Sequence, residues 1–356
     1  MTATKAVLFH ADGRQVAAAL DRTAVINRGH FSELDMDRLW SGTASCIRSV
    51  MEKAEVKPSQ IVAVGGSGHG AGLYLLDESL QPLGMAITSM DDRASSLVEK
   101  WRQEGVSAYE KTRHPVWAGQ AVPLLRWIKL HEPERYLRIR KILSVKDWIK
   151  FKLTGRVTTE PTDASNSGLI NLATRNYDSD ILRVYGIEEM SQCLADLEES
   201  CRVIGQVTEE AAAQTGLLPG TPVTSGLFDV VACALGSGVY DRDRYSMIAG
   251  TWNINSGLEP DILDCGPDTK CSLFADSDHY IYVESSATSA VNFDWFIENV
   301  LFALSPAPKD RRDLYGDINQ GVARIQPDRS DPFYLPFIHS SHLVKNIQAG
   351  FDGIRA

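Results

Sequence analysis

Short apolar runs alternate with stretches of helical periodicity along the whole chain, and this alternation restricts the fold most. In the first half, "KAVLFHADGRQVAAAL" reads as two strands folded at Asp12-Gly13, a hairpin turn signal. "DMDRLWSGTASCIRSVMEKAEV" then places Leu39, Ala44, Ile47, Val50 and Met51 at helical spacing. "QIVAVGG" and "GLYLLDE" read as strands. Residues 96–136 read as helices interrupted by "TRHPVWAGQAVP", and "KILSVKDWIKFKLTG" as a strand entering a helix that stops at Gly155. Residues 158–172, "TTEPTDASNSGLINL", read as polar and turn-rich. A second block from about Asp241 holds "RYSMIAGTWNINSG" as strand, turn and strand, "YIYVESS" as a strand, and "SAVNFDWFIENVLFAL" as a helix. The mixture in both halves predicts an α/β protein of two similar lobes, 1–239 and 240–356.

Charge narrows the partners. The 356 residues carry 36 Lys plus Arg against 46 Asp plus Glu, a net −10. Nucleic acid and anionic membrane both need a basic face, so neither is expected. The N-terminus lacks the zones of a signal peptide, and no apolar run reaches the length of a membrane span. The six cysteines contain no CxxC pair and no His at zinc spacing, which suits buried thiols in a reducing cytoplasm. "HSSH" at His339–His342 has no third ligand near it, so no metal-binding residue is assigned.

Three places invite chemistry. "GGSGHGAG" (Gly65–Gly72) has the wrong register for a dinucleotide loop and precedes a strand rather than a helix. Glycines between strands mark a tight turn, or a place where backbone approaches something closely; His69 stands among them. In "TSGLFDVVACALGSG" the lone charge, Asp229, heads a helix of small and apolar residues. It reads either as a helix-start residue serving free N–H groups or as a general base with room for a substrate. "MIAGTWN" ends a strand in Gly250-Thr251, a common turn that is also suited to phosphate. Local residues do not separate these readings.

The order of the segments does. "TATKAVLFHADG", "GSGHGAGLYLLDESLQPLGMAITSMDDRA", "VPLLRWIKLHEPERY", "SVKDWIKFKLTG", "TDASNSGLIN", "GLFDVVACALGSG" and "AGTWNINSG" together resemble the FGGY carbohydrate kinases. That resemblance implies an actin-like, ribonuclease H-like two-lobed sugar kinase fold and ATP-dependent phosphorylation of a sugar hydroxyl, with ATP and Mg²⁺ as cofactors. It implies Asp229 as catalytic base and Gly68, His69, Asp91 and Arg93 at the sugar. Thr2, Lys5, Gly250 and Thr251 would lie at the nucleotide phosphates. "ITSMDDRA", "LLRWIKLHEPERY", "SGLFDVV" and "AGTW" resemble the L-xylulose and 3-keto-L-gulonate branch most. Ser67-Gly68 and Ser89-Met90 stand where the D-xylulose pattern has Gln-Met and Trp, and the Arg-Glu pair of glycerol kinases is absent. An L-configured ketopentose or keto-sugar acid is therefore expected, and a homodimer is left open.

The same resemblance implies a chain shortened at both ends. Family members begin with an apolar strand and a D-x-G-T motif, and they continue past "GFDGI". On that reading the second lobe is incomplete, and weak nucleotide binding follows. The alternative function is a non-catalytic sugar-kinase remnant or sugar-binding module; an actin-like ATPase or scaffold is a weaker third.

Overall fold

The computed structural model describes residues 3–249, 253–263, 266, 269–286, 289–302, 311–338 and 347–354. The chain forms two compact units, Met1–Arg244 with Leu258–Tyr282, and Tyr245–Gly257 with Val283–Ala356.

In the first unit, β1 (Thr4–Phe9) and β2 (Gln15–Asp21) make the expected antiparallel hairpin around Gly13. Next come β3 (Ile26–Arg28), β4 (Phe31–Leu34), α1 (Met36–Ala54), β5 (Ser67–Gly68), β6 (Tyr74–Leu76) and β7 (Ala86–Ile87). α1 starts where the Asp35 carboxylate accepts the Asp37 and Arg38 N–H groups at 2.9 Å. Its buried stripe includes Leu39, Trp40, Ala44, Val50 and Met51, close to the predicted set. α2 (Ser95–Glu104), α3 (Tyr109–Thr112), α4 (Ala121–His131) and α5 (Pro133–Leu137) follow, and Leu124, Leu125 and Ile128 carry the main apolar core. β8 (Lys141–Leu143) pairs antiparallel with β6 and leads into α6 (Val145–Thr154). α6 ends at a left-handed Gly155, as its sequence predicts. On α6, Trp148 is buried and its indole N–H donates to Met36 O at 2.9 Å.

Residues 158–172 depart from expectation. β9 (Thr158–Thr159) enters α7 (Pro161–Asn166), and Glu160, Thr162, Asp163 and Ser165 are all buried. These polar groups are inside because they bond to one another and to Lys146, which a hydrophobic pattern cannot register. β10 (Ile170–Asn171), β11 (Asn176–Tyr177), α8 (Ser179–Val184), β12 (Asp196–Leu197), β13 (Val203–Gln206) and α9 (Glu209–Thr215) continue the unit. β14 (Pro222–Thr224) pairs with β13, and β15 (Leu227–Phe228) runs parallel to β5 and opens α10 (Asp229–Gly236).

The strand expected at "QIVAVGG" shrinks to one parallel bridge, Val64 with Val223. From Val64 on, its backbone bonds to Pro222, Thr224 and Leu227, while Ile61 and Ala63 face a cavity. Cys46, Cys193 and Cys271 are buried as expected, whereas Cys201 and Cys233 are exposed. "HSSH" lies outside the described residues. No helix among the described residues is long and apolar enough to cross a membrane.

The second unit starts with two antiparallel strands registered from Tyr245↔Gly257 to Ala249↔Asn253, matching the two strands read there. The helix Ala290–Phe296 continues as a π turn over Ile297–Leu301. The strands Phe333–Leu335 and Gly350–Asp352 pair antiparallel, with the Tyr334 and Phe351 rings 5.1 Å apart.

Candidate active site

The parallel pairing of β5 with β15 builds the site. Ser67 stands opposite Leu227 and Gly68 opposite Phe228, so the next residues, His69 and Asp229, leave two adjacent strand ends together. Two glycines permit this approach. A Cβ on Gly68 would lie 2.5 Å from Val145 Cγ1, and one on Gly226 would lie 2.4 Å from Gly66 O. Gly226 also has φ +89, which a side chain rarely adopts. The turn reading of "GGSGHGAG" and its close-approach reading are thus the same structure.

Gly68, His69 and Asp229 line one cavity of about 650 Å³ within the first unit. Lys5 of β1, Tyr74 of β6, and Lys146 and Lys150 of α6 line it too. Away from Asp229 the wall turns apolar, with Leu39, Ile47, Met51, Ile61, Leu153 and Leu217. Asp229 is the single carboxylate among the described lining residues.

Asp229 is the first residue of α10 and half-buried; Phe228 holds the cap position and makes no side-chain cap bond. Burial pushes its carboxyl up to about 6, the charge of Asp163 adds to this, and the Val230 N–H opposes it. The group is therefore ionised at neutral pH yet basic enough to take a proton. His69 is pushed down to about 4 by burial and stands neutral at pH 7. Its Nδ1 lies 3.2 Å from Gly70 O and 3.5 Å from Ser89 Oγ. The Tyr74 hydroxyl is buried with no hydrogen-bond partner among the described residues, on the same cavity wall. Burial, then the Asp163 charge, pushes its phenol upward.

Asp91 and Arg93 are elsewhere. Their side chains are 0% and 1% exposed and grip each other, Arg93 Nε to Asp91 Oδ1 and Nη2 to Oδ2, both at 2.8 Å. Arg93 also reaches Glu33 at 2.6 Å and stacks over Phe31 at 4.3 Å, while Asp91 accepts the Ser32 N–H at 2.7 Å. This clasp ties β4 to the segment after β7, and neither residue lines the cavity. Lys5 is exposed at the cavity's β1 side. Thr2, Gly250 and Thr251 lie outside the described residues.

Sequence reading missed Tyr74, Lys146 and Lys150. Tyr74 sits in an apolar strand and the two lysines on a helix whose charges read as surface. The spacing of Lys146 and Lys150, four apart on one face of α6, is the one signal that could have drawn attention to them.

Among the described residues no group of three or more His, Cys, Asp or Glu could hold a metal ion. A lone carboxylate suits Mg²⁺ that arrives on the phosphates of a nucleotide, since that ion keeps its waters and needs few protein ligands.

The model of the "FGGY family of carbohydrate kinases, N-terminal domain" matches residues 1–236. A "Probable L-xylulose kinase" of Pasteurella multocida is 36% identical over 364 residues, covering 100% of this chain and 72% of the relative. An "L-xylulose/3-keto-L-gulonate kinase" of Escherichia coli is 34% identical, over 99% of this chain and 70% of the relative. Among solved structures, xylulose kinase from Rhodospirillum rubrum superposes with a TM-score of 0.88 at 23% identity, over 99% of this chain and 71% of that one. That likeness shows the actin-like sugar-kinase fold. The chain belongs to the FGGY family of carbohydrate kinases, phosphotransferases that act on a sugar hydroxyl.

Proposed function

We propose that this chain transfers the γ-phosphoryl group of ATP to a hydroxyl of an L-configured ketopentose or a keto-sugar acid, with Asp229 as the base. One observation carries the reading: β5 and β15 bring Gly68-His69 and Asp229 to one cavity in which Asp229 is the single described carboxylate. The sugar class comes from the relatives aligned along the chain, named for L-xylulose and 3-keto-L-gulonate. Their kinase names do not favour the non-catalytic alternative.

Asp229 takes the proton of the attacking hydroxyl as the oxygen–phosphorus bond forms and the bond to the β-phosphate oxygen breaks, leaving ADP. Neutral His69 and the Tyr74 hydroxyl offer hydrogen bonds to sugar oxygens. Lys5, with Thr2, Gly250 and Thr251, is proposed to meet the phosphates; Asp91 and Arg93 are proposed to act on the sugar only through the loop they hold. Residues 1–239 would then carry the sugar side and 240–356 the nucleotide side. Mg²⁺ carried on ATP would neutralise phosphate charge.

The test measures ADP release with L-xylulose, 3-keto-L-gulonate, D-xylulose and glycerol. We expect the first two to give the higher kcat/KM, and Asp229→Asn to lower kcat by roughly 10²–10⁴ with sugar affinity little changed. A preference for glycerol overturns the sugar class, and near-normal turnover by Asp229→Asn overturns the base.

A further inference from the structure

A closed set of five charges lies against the turn that leads into Asp229, where the Phe228 N–H bonds to Thr162 and so brings the neighbouring Asp163 to the Asp229 end of α10. Lys146 Nζ is 2.9 Å from Asp147 Oδ1, 2.9 Å from Asp163 Oδ2 and 3.4 Å from Glu160 Oε1. Lys150 Nζ is 3.1 Å from the same Asp147 oxygen. All five side chains are at most 4% exposed. Burying charges so completely is costly, and substituting well-packed apolar residues is often neutral or stabilising, so stability alone is a weak account of them.

Their connections run to the catalytic turn. Lys150 Nζ donates to Ser225 O at 3.0 Å. The Phe228 N–H donates to Thr162 Oγ1 at 3.0 Å, and that hydroxyl donates to Glu160 Oε1 at 2.8 Å. Ser200 Oγ donates to Glu160 Oε2 at 2.8 Å, and Ser200 O accepts the Gly226 N–H at 3.0 Å. Thus Ser225, Gly226 and Phe228, the residues leading into Asp229, are each tied to the cluster. Asp163 stands apart within it: its carboxylate is buried, and neither oxygen has a well-aligned hydrogen-bond partner among the described residues.

We propose that Lys150 and the Thr162–Glu160 pair are positioning residues that fix the turn presenting Asp229, and that Asp163 sets how strongly Asp229 holds its proton. The inference rests on Asp229 being the base. The groups that act on that carboxylate are Asp163 from α7 and Cys233 from its own helix, with His69, Tyr74, Lys146, Lys150 and Lys5 on the walls of the same cavity. Of these, Asp163 is the negative charge at neutral pH, so its removal favours the ionised Asp229. The direction agrees with the upward displacement of the Asp229 carboxyl.

The test uses the full chain with L-xylulose and ATP between about pH 5 and 8. Asp163→Asn keeps the shape and removes the charge. The acid limb of kcat/KM should move to lower pH by roughly half a unit to one unit. The same displacement is readable without turnover from the ¹³C carboxyl resonance of Asp229, assigned by its loss in Asp229→Asn. Lys150→Met should lower kcat roughly ten- to a hundredfold with sugar KM within about threefold, and Lys150→Arg should recover most of it. If Lys150→Met does not fold, Thr162→Val against Thr162→Ser decides the same point, since only serine retains the hydroxyl. An unmoved Asp229 titration in Asp163→Asn, or an unchanged kcat in Lys150→Met or Thr162→Val, overturns the proposal. Normal turnover by Asp229→Asn instead overturns the base assignment on which it stands.

Discussion

A methyl group on Gly68 would meet Val145 Cγ1 at 2.5 Å and the Lys146 backbone N at 3.3 Å. Val145 is buried and β-branched, so it turns aside with difficulty, and β5 must move instead. Gly68→Ala should therefore cost about 1–3 kcal/mol of stability and displace His69 from its place beside Asp229, raising sugar KM. Thermal unfolding with sugar titration checks both effects. Unchanged values would mean that the strand end tolerates more room than its contacts allow. At this scale the sequence was readable where a residue is odd in its surroundings. Asp229 is the lone charge in an apolar run, and His69 stands within glycines. Lys146 and Lys150 are ordinary charges on an amphipathic helix, so their burial leaves no mark in the pattern. Asp91 and Arg93 enter through resemblance alone, and the structure clasps them to each other and to Glu33, with neither on the described cavity lining.

Elements differ in the same way. α1 is legible from its apolar spacing and α6 from its glycine stop at Gly155, although α1 ends at a left-handed Glu55 that the sequence does not announce. α7 was not, because its interior is polar. Glu160 caps it by accepting the Thr162 N–H at 2.8 Å and the Asp163 N–H at 3.0 Å, besides two hydroxyls. An amide there would turn an N–H₂ toward donors. Glu160→Gln should accordingly destabilise the fold by roughly 2–4 kcal/mol, measured as a lower urea midpoint with unchanged slope. A midpoint equal to wild type would show that the cap is dispensable. The shortened strand at 61–66 teaches the converse: an apolar run declares a strand, but a ladder also needs a partner in register along its length, and here only Val64 finds one, in Val223.

For the whole molecule, protonation links the site to stability. His114 is buried and His69 half-buried, and both are pushed down to about 4 by burial, His114 also by the charge of Lys270. Between the ordinary 6.5 and about 4, the unfolded chain binds protons that the folded chain refuses, so these groups reduce stability as pH falls. Asp163 and Asp229, raised to about 6 from 3.8, act oppositely over nearly the same window, binding protons first in the folded chain. The two effects offset each other. His114→Gln removes one side of the balance. It should be destabilising at neutral pH, and its deficit relative to wild type should shrink by about 2 kcal/mol by pH 5. Urea unfolding at both pH values measures this, and a constant deficit would refute a neutral buried His114. The α/β class was visible from alternation alone, while the exchange of segments between the two units was not, because local pattern carries no information on which distant strands pair.

That pairing also sets an order of assembly. The ladder joining Ser67 to Leu227 and Gly68 to Phe228 is two residues long and closes a very long loop. During synthesis Gly68 and His69 leave the ribosome well before their partners exist, since chains emerge from the N-terminus. The helices between them can pack meanwhile through nearby contacts, but the cavity shared by His69 and Asp229 is not complete until α10 arrives. A nascent chain arrested before Leu227 would carry His69 and Tyr74 without Asp229, and that cavity wall would be completed in one step when α10 arrives.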